Sequence, residues 1–546
     1  MTQHSKIAAE VEADRDWWRG AVIYQIYPRS YQDSSGDGVG DLAGITRRIP
    51  YIAALGVDAI WISPFFKSPM KDFGYDVSDY CDVDPMFGTL ADFDDLIAAA
   101  HGAGLRVMCD LVLSHTSDQH PWFAESRSSR DNPRADWYVW ADPQPDGTPP
   151  NNWLSIFGGS GWAWDGRREQ YYLHNFLTSQ PDLNFHCLAV QDALLEVTDF
   201  WLKRGVDGFR LDTINFYFHD AELRSNPALP PERRNNSIAP SVNPYNHQEH
   251  LYSKNRPENL AFLKRFRDLL DSYPAAAAVG EVGDAQRGLE IMGEYTAQGQ
   301  GVHMCYAFEF LASEPLTATR VADVFAHVER AAPDGWPCWA FSNHDVVRHA
   351  TRWGLDEAGR RLYAALLMAL RGSACIYQGE ELGLEEAEIA FEDLQDPYGI
   401  EFWPEFKGRD GCRTPMVWDN GNSFGGFSEV RPWLPVAADH LNRSVAAQEA
   451  DAGGLLHHYR RMIALRRKHA ALAKGEMTGM KARGTVLSFE RLHEGARMLC
   501  LFNIGDAAAS AALPEGAWID QIGKAPCAGA MELAPWQAAI LTKEAE

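Results

Sequence analysis

The chain of 546 residues holds nine cysteines, an odd number scattered from Cys81 to Cys527 with no CxxC pair. That spacing excludes a disulfide framework and a cysteine zinc site, and it reads as small buried side chains in a reducing compartment. Long apolar runs are missing too: LYAALLMALRGSACIY is interrupted by Arg371, so no stretch reaches the roughly 20 apolar residues of a membrane span. Positive charge is the scarcer sign, with 50 Lys and Arg against 75 Asp and Glu and a formal net charge of -25. A surface that acidic repels phosphate backbones and anionic headgroups, which argues against nucleic-acid and membrane partners. The amino terminus, MTQHSKIAAEVEADRDWW, lacks the apolar core of a signal peptide. A soluble cytoplasmic protein is expected, as a monomer or a homodimer.

What is present is an alternation of short β-rich runs with helical patterns, the mark of a parallel βα architecture. The runs are AVIYQIYP, GVDAIWISP, LRVMCDLVLSH, VDGFRLDT, AAAVGEV, HMCYAFEF, CWAFSNHD and SACIYQGEE. Segments such as LAVQDALLEVTDFWLKRG and PENLAFLKRFRDLLDSY, apolar at helical spacing, lie between them. Eight such units predict an α/β fold, a (β/α)₈ TIM barrel. Two stretches break the repeat. Residues 116–185, rich in Trp, Pro, Gly and Asp, are too long for a simple connection and predict a small domain inserted after the third strand at the barrel mouth. Beyond a Pro- and Gly-bearing excursion from Leu382 to Gly454, the tail alternates in short strands such as TVLSFERL and MLCLFNI. The expected division is therefore barrel in 1–115 and 186–475, insert in 116–185, and a C-terminal β-sandwich in 476–546.

A barrel strand is buried on both faces, so a carboxylate at its carboxyl end costs free energy unless it meets a partner or does chemistry. Three strands end this way: GFRLD at Asp212, AAAVGE at Glu281 and AFSNHD at Asp345. Any one alone reads as a salt-bridged rim residue. His115 after DLVLS and Arg210, which shares the facing of Asp212, belong to the same rim, where the active sites of such barrels gather. Two carboxyls about 5 Å apart, one attacking and one donating a proton, are what glycoside hydrolysis with retention requires.

The motifs DLVLSH, GFRLDTINF, AVGEV and FSNHDVVR, in that order, resemble the four signature regions of the α-amylase-type glycoside hydrolases. QPDLNF resembles a fifth region of the oligo-1,6-glucosidase and α-glucosidase branch, and the likeness extends through AVIYQIYPRSYQDSSGDGVGDL, YQGEELGL and GRDGCRTPMVW. The resemblance implies Asp212 as nucleophile, Glu281 as general acid/base and Asp345 as transition-state stabiliser, with Arg210, His115 and His344 on the sugar. In KDFGYD, Asp72 and Tyr75 match the pair that grips the non-reducing glucose, with an arginine of GRDGCR, Arg409 or Arg413, holding Asp72. Phe157 and Phe176 match aromatic pocket walls. Without the resemblance, Asp72 and Tyr75 are ordinary loop residues and the two phenylalanines pack the insert.

Ser114 stands where many relatives carry an Asn that helps hold calcium near the insert, which argues against that site here. DSSGDGVGD instead spaces oxygen donors at Asp33, Ser35, Asp37 and Asp41, with the Val39 carbonyl between, like the start of an EF-hand loop without its closing Glu. One structural Ca²⁺ or Mg²⁺ is expected there and no organic cofactor; the plain alternative is an Asp/Gly turn held by its own side chains. Thr213, next to the nucleophile, resembles α-1,4-preferring relatives, where α-1,6-cleaving ones carry Val; the hydroxyl is worth about 1 kcal/mol. The expected activity is a retaining exo-acting α-glucosidase on small α-glucosides such as maltose, with transfer to alcohols open at the same intermediate. The competing readings are a sucrose isomerase or trehalose synthase on the same fold, and a non-catalytic amylase-like scaffold.

Overall fold

The computed structural model describes residues 14–543, so the first thirteen residues of the expected barrel segment 1–115, which hold most of the amino-terminal stretch MTQHSKIAAEVEADRDWW, lie outside the described residues. Eight parallel strands form the core: β1 (Val22–Ile26), β2 (Ala59–Ile62), β3 (Arg106–Leu111), β4 (Gly208–Leu211), β5 (Ala277–Val282), β6 (Met304–Ala307), β7 (Cys338–Ala340) and β8 (Ser373–Tyr377). Each lies within one of the eight runs read from the sequence. Neighbours pair in chain order from β1 to β6, β8 pairs with both β1 and β7, and a parallel bridge from Cys305 to Pro337 closes the sheet between β6 and β7. The result is a (β/α)₈ barrel with a C-terminal β domain.

Helices α1 (Leu42–Leu55), α2 (Leu90–Gly102), α3 (Leu188–Lys203), α4 (Asn259–Asp271), α5 (Gly288–Thr296), α6 (Ala318–Ala331), α7 (Glu357–Ala369) and α8 (Leu455–Lys468) return the chain between strands and cover the barrel. Four of them, α1, α2, α6 and α7, start at side-chain caps, such as Asp41 on the Gly44 amide and a capping box of Thr89 with Asp92. Backbones approach closely where β4 meets β5: a Cβ on Gly208 would lie 2.3 Å from the Ala277 carbonyl oxygen, so only glycine fits. Among the described residues no helix is long and apolar enough to cross a membrane.

Between β3 and α3 the chain builds a three-stranded antiparallel sheet of Trp140–Ala141, Trp162–Asp165 and Gln170–Leu173 over its own cluster of Val139, Trp153, Trp162 and Leu173. From Glu476 onward all regular structure is β: a six-stranded antiparallel sheet and a strand pair, Ala509–Ala512 with Ala530–Leu533, that encloses Leu501, Trp518 and Leu541. The sequence pattern did not single out one further irregular segment, 217–258 between β4 and α4, which lies over the barrel mouth and sends Ser237 and Ile238 into the pocket described next.

Candidate active site

Strand ends converge at the carboxyl-terminal rim. Arg210 of β4 is fully buried, and its guanidinium meets three carboxylates: Nη1 lies 2.7 Å from Asp212 and 2.8 Å from Asp110 of β3, and Nη2 lies 2.6 Å from Glu281 of β5. Asp212 and Glu281 therefore sit on adjacent nitrogens of one cation. In-register Tyr306 of β6 donates its hydroxyl to the other oxygen of Glu281 at 2.9 Å. Thr213 stands at φ 40°, the left-handed region that β-branched residues rarely adopt. That turn aims its N–H at Glu281 (3.1 Å) and its hydroxyl at Asp212 (3.1 Å), while Ser114 lies 3.0 Å from the same hydroxyl.

Asp345, past the end of β7, faces these acids with Arg413 Nη2 at 3.0 Å and Arg409 Nη1 at 3.2 Å. Gln25 of β1 donates its amide N–H to Nδ1 of His344 (2.7 Å), which leaves the ring proton on Nε2; that nitrogen bonds the Tyr75 hydroxyl at 2.5 Å and lies 3.1 Å from Asp345. The Tyr75 ring stacks on His344 with centroids 5.4 Å apart, and its hydroxyl reaches Asp110. Asp72, which also lines the pocket, accepts from Arg409 Nη2 at 2.9 Å and from Gln180 Nε2 at 3.0 Å. Arg409 is itself oriented by Asp396, so of the two arginines left open by the sequence, Arg409 holds Asp72 and Arg413 holds Asp345 and the His344 carbonyl. His115 gives Nε2 to the Tyr75 carbonyl at 3.0 Å and pairs Nδ1 with Ser114 at 2.9 Å. Phe157 and Phe176 meet at 5.7 Å and form one wall with Tyr398 and Phe216; Phe308, Val346 and Ile238 also line the pocket.

Burial dominates the electrostatics. It raises Glu281 to about 7, with Asp212 and Asp345 adding and Arg210 opposing, and it raises Asp212 in the same way. One guanidinium cannot neutralise three buried carboxylates, so the group holds a proton at neutral pH. Asp345 goes the other way: burial opposes its ionisation, but His344, Arg409 and Arg413 outweigh it and hold it below the usual carboxylate range. Burial also keeps His344 neutral, so that stabilisation falls to the two arginines. Burial lifts Asp72 to about 6 against the pull of Arg409, and lowers His115 to about 4.

The structure thus gathers Asp72, Tyr75, His115, Phe157, Phe176, Asp212, Thr213, Glu281, Asp345 and Arg409 around one pocket. Arg210, His344 and Arg413 lie directly behind it, bonded to those residues. The loop at Asp33, Ser35, Asp37, Val39 and Asp41 lies elsewhere, after β1. Asp41 accepts from the Ser34, Ser35 and Gly44 amides, Asp33 from the Gly36 and Gly38 amides and the Ser428 hydroxyl, and Asp37 from the Val39 amide. Among the described residues no three His, Cys, Asp or Glu side chains converge as a metal-binding group. Sequence reasoning missed Asp110, Tyr306, Gln25 and Asp396. A charge inside the buried run LRVMCDLVLSH was a usable signal for Asp110; the others carry none.

Residues 25–475 match the family described as the alpha amylase catalytic domain. The chain belongs to that family. It is a glycoside hydrolase, and its relatives within the family span nearly its whole length. It is 68% identical over 518 residues to a "Probable alpha-glucosidase" of Rhizobium meliloti (strain 1021), covering 94% of each chain. An "Oligo-1,6-glucosidase" of Heyndrickxia coagulans is 35% identical, covering 96% of this chain and 99% of its own. Among solved structures, the alpha-glucosyl transfer enzyme XgtA superposes with a TM-score of 0.94 at 56% identity, covering 97% and 99% of the two chains. The trehalulose synthase MutB from Pseudomonas mesoacidophila MX-45 superposes with a TM-score of 0.87 at 32% identity, covering 97% and 99%.

Proposed function

We propose that the protein is a retaining α-glucosidase releasing glucose from the non-reducing end of short α-1,4-glucosides such as maltose. The observation that carries this reading is Asp212 and Glu281 on neighbouring nitrogens of Arg210, in a pocket that Asp72, held by Arg409, also lines. Two carboxyls so close favour double displacement with retention. Asp212 attacks the anomeric carbon as the glycosidic C–O bond breaks, and the leaving oxygen takes the bonding pair and the Glu281 proton. In the second half, Glu281 removes a proton from water, whose oxygen displaces Asp212 and restores the α configuration. Asp345, Asp72 and Arg409 hold sugar hydroxyls, and Tyr75 offers its ring face. Relatives named for glucosidase activity support the class.

The preference for α-1,4 bonds rests on Thr213, whose hydroxyl bonds Asp212 and Ser114 here and therefore acts on a second sugar only by exchanging one of those partners. Transfer to alcohols is a second reading, favoured by the apolar pocket lining of Phe216, Ile238, Phe308 and Val346 and by the likeness to a glucosyl transfer enzyme. A panel of maltose, isomaltose, sucrose and an aryl α-glucoside tests both. The expected result is α-glucose, fastest from maltose, with turnover lost by about a thousandfold or more in Asp212→Asn; β-glucose as first product would end the proposal.

The acidic loop after β1 is proposed to take a hard cation, Ca²⁺ or Mg²⁺, through Asp33, Ser35, Asp37, Asp41 and the Val39 carbonyl, in a purely structural role. Three carboxylates within nine residues support it, and some of the amide bonds to Asp33 or Asp41 must yield. The expected sign is a rise of the unfolding temperature with Ca²⁺ that Asp37→Ala abolishes. Nine unpaired cysteines support a cytoplasmic setting.

A further inference from the structure

Two residues past Glu281, the Gly283 peptide is held from every side. Its carbonyl accepts from Lys254 Nζ at 2.7 Å and from Asn215 Nδ2 at 3.1 Å, which fills both lone pairs, and its N–H donates to Asn215 Oδ1 at 3.1 Å. Asn255 locks the same clamp: its N–H donates to the Asn215 carbonyl at 2.8 Å, its Oδ1 accepts from Asn215 Nδ2 at 2.7 Å, and its Nδ2 donates to Asp284 at 2.6 Å. Asn215 is three residues beyond Asp212, so the clamp joins the segments that carry both reacting carboxyls. Lys254 is 1% exposed, with one carboxylate, Asp284, 3.6 Å away and the rings of Phe216 and Tyr245 at 4.8 and 5.5 Å. An ammonium buried with so little countercharge is costly unless its geometry is used.

We infer that Lys254, with Asn215 and Asn255, is a positioning residue that sets where Glu281 delivers its proton, by bolting the end of β5 to the 217–258 loop. That loop also carries Ile238 into the pocket and bonds the insert through Asn243 and the Ile156 carbonyl at 2.8 Å, so part of the pocket lining and the acid are tied to one segment. The inference rests on Glu281 as the acid.

The test compares maltose, whose leaving alcohol needs a proton, with a nitrophenyl α-glucoside, whose leaving group does not. Lys254→Met is expected to lower kcat on maltose by about tenfold or more and on the nitrophenyl glucoside by less than about threefold, with KM little changed. Equal losses on both substrates, or none on either, would overturn it. Should Lys254→Met fail to fold, half-buried Asn255→Ala faces the same comparison, supported or overturned by the same results. Glu281→Gln run alongside separates the layers: no leaving-group dependence there removes the acid assignment itself, whereas dependence there without it in the Lys254 variant removes only this inference.

Discussion

At the scale of single residues, the charges of the site are set by how little positive charge is placed among buried acids. Glu281 keeps its proton up to about 7 because burial and the Asp212 and Asp345 carboxylates outweigh Arg210. As the proposed acid it is needed protonated, so kcat/KM on maltose is expected to fall as pH rises through about 7, while Asp345, held low by its arginines, stays ionised across the whole profile. A profile flat from about pH 6 to 9 would contradict this. Asp182 makes a separate case. It is buried with Asn175 as its side-chain donor, and burial pushes its pKa up to about 8. An unfolded Asp titrates near about 3.9. The folded protein thus binds the proton more tightly, a contribution to stability that is full below about pH 4 and lost as pH rises through about 8. Asp182→Asn is expected to flatten that decline, measured as denaturation midpoints from about pH 5 to 9.

Among the elements, α7 ends in carbonyls that no helix partner can satisfy, and two buried arginines from other parts of the chain reach them. Arg466 of α8 donates to the carbonyls of Met368 at 2.7 Å, Leu370 at 3.2 Å and Gly20 at 2.9 Å. Arg491, in the strand Val486–His493, donates to Ala369 at 2.5 Å and Gly475 at 2.8 Å. Neither is paired with a carboxylate among the described residues; each replaces the hydration the carbonyls lose. Arg491→Met fills the space but leaves two buried acceptors bare, and is expected to cost about 3 kcal/mol in urea unfolding with activity per folded molecule unchanged. A loss under about 0.5 kcal/mol would mean water serves those carbonyls instead.

For the whole molecule, Leu487, Phe489, Met498, Cys500 and Phe502 of the C-terminal domain belong to the same apolar cluster as Leu362, Leu366 and Met462 on the barrel helices. A shared core couples the two units, so a chain ending at Gly475 exposes that face and is expected to aggregate, whereas the complete chain unfolds in one calorimetric transition. Recovery of a monomeric, active 1–475 fragment would show the barrel to be independent.

The eight barrel strands were legible because each is a short β-branched or aromatic run bounded by polar residues, and a strand buried on both faces leaves little freedom in its composition. For the same reason Asp212, Glu281 and Asp345 stood out, since a charge at the end of such a run has to be explained. Arg409 and Arg413 share a short polar loop whose residue types do not say which way either points, and only the packing of Asp396 against Arg409 decided between them. Tyr306, Gln25 and Lys254 look like any strand or loop residue until the barrel closes and brings them to the acids. Local composition therefore determined the architecture and the identity of the charged groups, and the tertiary structure alone decided their partners and proton affinities, because both depend on burial and on contacts between segments far apart in the chain.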